Sequence, residues 1–170
     1  TVVDSDGESL GNIDLMASWE ASGGGSVNET TRSNGQVLID VPAGASVTIT
    51  VQDDQYVRNE PFVVEDASTE SVEVPVTEAG TAATEVVDED GAVGNAIVQL
   101  TKPGTTVVNT RTGADGRHAT DQIEQDTYTL TVWKNGYLKN RTQLTVDGDV
   151  TRTVEIEQAS RLVTFSVSDD

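Results

Sequence analysis

Apolar and polar residues alternate along much of the chain, which is the period-two pattern of β-strands with one buried face. The clearest run places Ile13, Leu15, Ala17 and Trp19 on one face, with mostly polar residues between them. The same alternation returns at Val47–Val51, Val72–Val76 and Tyr128–Val132. No stretch shows the period of an amphipathic helix. The pattern therefore predicts an all-β protein.

Turn dipeptides separate these runs at intervals of about 8–12 residues. They are Asp6-Gly7, Asn34-Gly35, Asp90-Gly91, Asp115-Gly116 and Asn135-Gly136. Short alternating strands at this spacing are typical of two packed antiparallel sheets. We therefore predict antiparallel Greek-key β-sandwiches of the transthyretin-like or immunoglobulin-like kind.

Short sequence runs from the first half return in the second half. Val2–Gly7 returns as Val86–Gly91, and Val47–Val51 is matched by Tyr128–Val132 at nearly the same spacing. An internal repeat of this length gives each copy room for about seven strands. The repeat predicts two tandem β-sandwiches.

The repeat also predicts where the domains begin and end. We place the first sandwich at residues 1–76, a linker at residues 77–83 and the second sandwich at residues 84–159. Residues 160–170 resemble the first strand of a following repeat, because the run Val163–Asp170 alternates and then ends in two acidic residues. We therefore expect a segment of a longer tandem array.

Composition excludes several classes of function. The chain has 29 acidic and 10 basic residues, a net charge of −19, which repels nucleic acid and anionic membrane surfaces. No apolar run has the ~20 residues that a membrane-spanning helix needs. Cysteine is absent and His118 is the only histidine, so disulfides, thiolate sites and multi-histidine metal sites are excluded. We expect neither an enzyme nor direct membrane insertion.

The acidity is spread along the whole chain. Lysine occurs only three times, and molar salt shortens the range of charge repulsion to ~3 Å. The composition resembles that of proteins from extremely halophilic archaea, and the alternative is an ordinary acidic secreted β-domain. Residues 1–83 carry 15 acidic and two basic residues, whereas residues 84–160 carry 12 and seven. We therefore expect the first repeat to depend more on salt.

The second repeat shows a sequence of features that points to a family. Residues 87–100 hold a strand, an acidic turn and a second strand, followed by the Asp115-Gly116 turn and by Gly136-Tyr137. This order resembles the carboxypeptidase regulatory-like domain, a transthyretin-like β-sandwich. The first repeat keeps that family's Pro-x-Gly turn at Pro42-Ala43-Gly44 but has Gln55-Tyr56 in place of Gly-Tyr.

The resemblance implies a role without catalysis. It implies an extracellular spacer, stalk or adhesion module in a tandem-repeat cell-surface protein, with no cofactor. The implied partners are neighbouring repeats of the same parent chain and a cell-surface glycan or protein. The alternative is a carbohydrate- or ligand-binding accessory module of a secreted hydrolase.

Two acidic turns have the composition of calcium loops. Asp4 and Asp6, and likewise Asp88 and Asp90, place carboxylates two residues apart before a glycine, which makes them candidate calcium ligands. Calcium takes 6–8 oxygen ligands, and neither run supplies a full set. The alternative is a turn in which the aspartate accepts hydrogen bonds from its own backbone.

The remaining candidate sites are aromatic residues and sequons. Trp133 and Tyr137 form the most aromatic stretch and are candidates for stacking on a sugar or a partner side chain. The alternative is a tryptophan that closes a loop over the sandwich rim. Asn28 and Asn140 each begin an Asn-x-Thr sequon and are candidate glycosylation sites.

Overall fold

The computed structural model describes residues 1–20, 23–68 and 71–160. Every element bounded within these ranges is a β-strand, which confirms the all-β prediction. The same ranges contain no helix with the length and apolar character that a membrane crossing requires. The predicted start of a following repeat falls mainly on residues 161–170, which lie outside the described residues.

The strands of the described chain are numbered in chain order. They are β1 Val2–Val3, β2 Asp14–Trp19, β3 Gly25–Thr30, β4 Val47–Val51, β5 Tyr56–Val57, β6 Phe62–Val64, β7 Val74–Pro75, β8 Thr77–Asp88, β9 Gly91–Ala92, β10 Ile97–Lys102, β11 Thr105–Arg111, β12 Arg117–Ala119, β13 Ile123–Glu124, β14 Asp126–Trp133, β15 Asn140–Val146 and β16 Asp149–Glu155.

The chain divides into two compact units, each made of several segments. Unit 1 holds Thr1–Ala82, Thr120–Thr127 and Thr145–Val150, and unit 2 holds Ala83–Ala119, Tyr128–Leu144 and the residues from Thr151 onward. Two short segments from the predicted second repeat, Thr120–Thr127 and Thr145–Val150, therefore belong to unit 1. The sequence repeat could not predict this assignment, because it compares residues by position along the chain and not by what they contact.

The predicted linker at residues 77–83 lies within a strand instead. β8 runs without a break from Thr77 to Asp88, and its buried positions within residues 77–83 are Gly80 and Ala82. A Cβ atom on Gly80 would lie 2.6 Å from the carbonyl oxygen of Gly148. Gly80, one of the small residues that resemble linker composition, is therefore required by close packing.

Unit 1 contains one antiparallel sheet in the order β3-β2-β4-β6. Ala17 of β2 lies opposite Val27 on one side and Ile49 on the other. β1 pairs in parallel with β7, where Val2 lies opposite Val74. The buried core holds the inward-facing residues Val2, Ile13, Leu15, Ala17, Ala45, Val47, Ile49, Val74 and Val76.

Unit 2 contains an antiparallel sheet in the order β11-β10-β14-β15. Leu100 of β10 lies opposite Leu130 of β14, and both side chains are fully buried. The second part of β8 pairs with β12, where Thr84 lies opposite His118. The buried apolar residues of this unit are Val86, Val93, Ala96, Val98, Leu100, Tyr128, Leu130, Val132, Leu144, Val154 and Ile156.

A buried threonine joins the start of β2 to the end of β3 in unit 1. The Ile13 amide donates to Thr31 Oγ1 at 2.9 Å, and the Thr31 hydroxyl donates to the Leu10 carbonyl at 2.9 Å. Asn12, between these two partners, has a φ of 63°, a left-handed conformation that asparagine adopts more readily than most residues. A single hydroxyl thus satisfies two backbone groups at a sharp bend. We call this arrangement of a buried threonine and a left-handed asparagine the joint.

Unit 2 contains the same joint. The Ala96 amide donates to Thr112 Oγ1 at 3.0 Å, and the Thr112 hydroxyl donates to the Val93 carbonyl at 3.2 Å. Asn95 has a φ of 58°. Thr112 stands in the second repeat where Thr31 stands in the first, at the same spacing that relates Val47–Val51 to Tyr128–Val132.

Replacing either joint threonine by valine should destabilise its unit. Thr31→Val and Thr112→Val keep the side-chain shape but leave a buried amide without its acceptor and a backbone carbonyl without its donor. Each loss should lower the free energy of unfolding by about 1–3 kcal/mol. Urea unfolding followed by circular dichroism measures this change.

The matched control is Thr151→Val, because Thr151 lies exposed on β16. This control should change stability by less than about 0.5 kcal/mol. Equal stabilities for all three variants would contradict the role assigned to the joint.

Candidate functional sites

The first acidic turn uses its leading carboxylate to hold its own backbone. Asp4 Oδ1 accepts the amides of Asp6 and Glu8, each at 2.9 Å. Gly7 completes the turn with a φ of 82°, which favours glycine. This is the backbone-bonded turn that the sequence left open as the alternative to a calcium loop.

The second acidic turn has the same backbone bond and a further one. Asp88 Oδ1 accepts the Asp90 amide at 3.0 Å, and Asp88 Oδ2 accepts the Tyr137 hydroxyl at 2.8 Å. The structure therefore brings together two residues, Asp88 and Tyr137, that the sequence assigned to different candidate sites. They are 49 residues apart along the chain.

This hydrogen bond couples the charges of its two partners. The Tyr137 hydroxyl is the largest cause that holds the pKa of Asp88 below its ordinary value of 3.8. In return, the Asp88 carboxylate raises the pKa of Tyr137 above its ordinary value of 10.0. The bond is thus strongest with Asp88 ionised and Tyr137 protonated.

The four candidate calcium ligands are dispersed over two turns. Within the described ranges, no group of three or more histidine, aspartate or glutamate side chains is arranged to hold a metal ion. Asp4 and Asp88 each commit oxygen atoms to backbone amides, while Asp6 and Asp90 are exposed. Calcium binding at Asp4, Asp6, Asp88 and Asp90 stays a prediction.

Lysine side chains cover the two candidate stacking residues. Trp133, at the end of β14, is half-buried, and Lys139 Nζ lies 4.9 Å from its ring centroid. Lys134 Nζ lies 5.6 Å from the ring centroid of Tyr137. Both distances are within the range of cation–π attraction. A sugar that stacks on the same face of Trp133 would have to displace Lys139, so stacking stays a prediction.

The two sequons lie in different surroundings. Asn28 is exposed on β3, an edge strand of its sheet. Asn140 is half-buried, and its side-chain amide donates to the Glu155 carbonyl at 2.8 Å. Glycosylation of either residue stays a prediction, and the exposed Asn28 offers the less hindered amide.

The sequence pattern did not indicate the residues that make the closest contacts at these positions. The joint threonines and the lysines over Trp133 and Tyr137 did not appear among the candidates. For the joint, a signal was present, because Gly11-Asn12 returns as Gly94-Asn95 at nearly the repeat spacing. For the lysines there was none, since ring contacts depend on side-chain directions.

Replacing Tyr137 by phenylalanine should change stability only over a limited pH range. The bond adds stability above the ordinary pKa of Asp88, and this stability is lost as pH falls through the lowered pKa of the folded state. It is lost again as pH rises through the raised pKa of Tyr137. Tyr137→Phe should therefore be less stable than the parent near neutral pH and equal to it at both extremes.

Carboxyl NMR titration gives a direct reading of the same bond. In Tyr137→Phe, the pKa of Asp88 should return toward its ordinary value. The control is Tyr56→Phe at the corresponding position of unit 1, which should leave the Asp88 titration unchanged. An unchanged pKa of Asp88 in Tyr137→Phe would show that the bond does not form in solution.

Solved structures with low sequence identity resemble this chain. The Bacillus anthracis TIE protein is 19% identical, with 93% of this chain and 33% of that chain covered at a TM-score of 0.45. The Streptococcal ancillary pilin is 17% identical, with 94% and 61% covered at a TM-score of 0.45. GBS52, the minor pilin of Streptococcus agalactiae, is 11% identical, with 98% of each chain covered at a TM-score of 0.44. The chain thus spans a third of the first protein and about three-fifths of the second.

A family model matches part of the second half of the chain. No curated protein matches the sequence. The family model of the carboxypeptidase regulatory-like domain matches residues 83–158. This range contains residues 87–100, the Asp115-Gly116 turn and Tyr137, which carry the resemblance in the sequence. Residues 83–158 are therefore similar to the carboxypeptidase regulatory-like domain.

Proposed function

We propose that the chain is a non-catalytic extracellular module of a tandem-repeat cell-surface protein, where it acts as a spacer or adhesion unit in concentrated salt. Its partners would be neighbouring repeats of the same parent chain and a surface glycan or protein. The family match of the second half supports a module of this kind.

The buried joint occurs in both halves of the chain, and this recurrence is the observation that carries the proposal. Each half contains the buried joint, built from Thr31 with Asn12 in one unit and from Thr112 with Asn95 in the other. By contrast, the Asp88–Tyr137 bond is a feature of unit 2. The features that recur are those that hold a sandwich together, as expected when a structural module is duplicated.

The distribution of charge supports adaptation to salt. The segments of unit 1 contain 20 acidic and two basic residues, a net charge of −18, and those of unit 2 contain nine and eight, a net charge of −1. Repulsion among like charges destabilises a compact state and is weakened by salt. Nearly the whole charge of the chain therefore acts on unit 1.

One alternative function has a specific observation in its favour. Trp133 and Tyr137 lie half-exposed within unit 2, and aromatic rings that are partly exposed can stack on a sugar, as an accessory module that binds carbohydrate would require. Binding of a glycan that is abolished by Trp133→Ala and kept by Trp19→Ala would favour this alternative over the spacer.

Salt should stabilise unit 1 far more than unit 2. The chain has two tryptophans, Trp19 in unit 1 and Trp133 in unit 2, so Trp133→Phe and Trp19→Phe each leave a fluorescent reporter of one unit. As KCl rises from 0.1 to 1 M, the Debye length falls from ~10 to ~3 Å. The urea midpoint reported by Trp19 should rise steeply, and that reported by Trp133 should change little.

Charge-neutral variants separate screening from other salt effects. Replacing the exposed residues Glu20, Glu29 and Glu65 by glutamine should flatten the KCl dependence of the Trp19 signal alone. A sodium sulfate series identifies salting-out, which acts on both units. If both units respond alike to KCl, the carboxylates are ordinary surface residues and the adaptation to salt is refuted.

A further inference from the structure

The sequence contains two Asn-Gly pairs, Asn34-Gly35 in unit 1 and Asn135-Gly136 in unit 2, and each lies in a turn. An asparagine before glycine is open to attack on its own side chain, because glycine has no side chain to hinder the approach of its amide nitrogen. In a folded protein, the reaction depends on how firmly the turn holds the two reacting groups. The two pairs differ in this respect.

The turn at Asn34 holds both reacting groups. The Gly35 amide, whose nitrogen would attack, donates to the Arg32 carbonyl at 2.8 Å. The Asn34 side chain makes two hydrogen bonds to Gln36: its Oδ1 accepts the backbone amide at 3.2 Å, and its Nδ2 donates to Oε1 at 3.0 Å. Attack of Gly35 on Asn34 therefore requires these hydrogen bonds to break.

Packing restrains the same turn. Gly35 is buried, and a Cβ atom added to it would lie 2.8 Å from the Cβ of Ser9 and 3.0 Å from the backbone nitrogen of Leu10. Its carbonyl accepts the Val2 amide at 2.9 Å. Opening a segment with buried contacts and paired backbone groups costs free energy. Asn34 therefore reaches a reactive geometry only in a minor, locally opened state.

The turn at Asn135 leaves both reacting groups free to move. It is closed by a bond from the Tyr137 amide to the Lys134 carbonyl at 3.1 Å, which uses neither the Gly136 amide nor the Asn135 side chain. Within residues 1–20, 23–68 and 71–160, neither of these two groups has a hydrogen-bond partner, and no atom lies within 4 Å of a Cβ added to Gly136. Asn135 and Gly136 are both exposed to water.

We propose that Asn135 is a site of spontaneous deamidation through a cyclic imide, and that Asn34 is protected by its turn. The Gly136 nitrogen attacks Cγ of Asn135 and loses its proton to water. The new C–N bond closes a succinimide ring, and the side-chain nitrogen leaves as ammonia. Water then opens the ring at either carbonyl, which gives aspartate or isoaspartate. The net reaction consumes water and releases ammonia.

The equivalent turn of unit 2 shows that an aspartate side chain fits at Asn34. Asp115-Gly116 stands in the second repeat where Asn34-Gly35 stands in the first. The Gly116 amide donates to the Gly113 carbonyl at 3.1 Å, and Asp115 Oδ1 accepts the Arg117 amide at 3.1 Å, the same two bonds that close the turn in unit 1. The protection of Asn34 thus comes from the hold on its reacting groups and not from exclusion of aspartate.

The position of Asn135 gives the change a local effect. Residues 127–146 contain three basic residues and no acidic one, so conversion introduces a carboxylate into this segment. Isoaspartate also lengthens the backbone by a methylene group within the turn. Because the Gly136 carbonyl accepts the Ala159 amide at 2.7 Å, the longer turn should weaken its pairing with the segment around Ala159.

The test follows both asparagines in one sample of the full chain. The chain is incubated at mildly alkaline pH in about 1 M KCl, where charge repulsion within unit 1 is screened. Peptide mapping by mass spectrometry measures the converted fraction at each site over time, and an isoaspartyl methyltransferase labels isoaspartate. Asn135 should convert at least about tenfold faster than Asn34, the ratio for a difference of about 1.4 kcal/mol in the cost of opening. Isoaspartate should appear at position 135.

Two controls separate the effect of the fold from that of the sequence. In guanidinium chloride both turns are open, so the two asparagines should convert at similar rates. Asn135→Gln should lose the fast conversion, because a glutamine side chain has to close a larger and less favoured ring, while Asn34 keeps its slow rate. Equal rates at the two sites in the folded chain, an undiminished difference in guanidinium chloride, or conversion of Asn135 without isoaspartate would overturn the proposal.

Discussion

The buried threonine hydroxyl at the entry to the central sheet is the constraint on which each unit depends. At this point the chain leaves the first strand, bends through a left-handed asparagine and enters β2 or β10. Burial deprives the bend of water, so its amide and carbonyl need an internal partner. Thr31 and Thr112 each satisfy both groups with one short side chain.

Much of the fold follows from the spacing of apolar residues. Alternation places Leu15 and Ala17 on the buried face of β2, and the structure confirms this. Composition is a poorer guide at residues 77–83, where glycine, alanine and threonine are typical of a linker but pack in a strand. Gly80 there satisfies a steric limit set by Gly148, a neighbour distant in sequence. Composition alone cannot distinguish flexibility from tight packing.

The candidate sites are less predictable than the fold, because they depend on contacts between distant residues. Turn chemistry predicts that Asp88 can hold its own backbone, but it does not reveal that Tyr137 shares the carboxylate. The charge of each unit also depends on which distant segments the fold brings together. Counting along the sequence assigns 15 acidic residues to residues 1–83, and the segments 120–127 and 145–150 raise this to 20 for unit 1. The contrast in charge between the units is therefore a property of the folded chain.

The central claim is that both units share one scaffold, in which a buried threonine holds the bend before the central sheet. Amide hydrogen exchange on the full chain, compared with Thr31→Val and Thr112→Val, tests it directly. The account predicts slow exchange at Ile13 and Ala96, whose amides donate to the joint threonines, and faster exchange at Ile13 in Thr31→Val and at Ala96 in Thr112→Val. Fast exchange at Ile13 or Ala96 in the parent chain, or unchanged exchange in both variants, would contradict it.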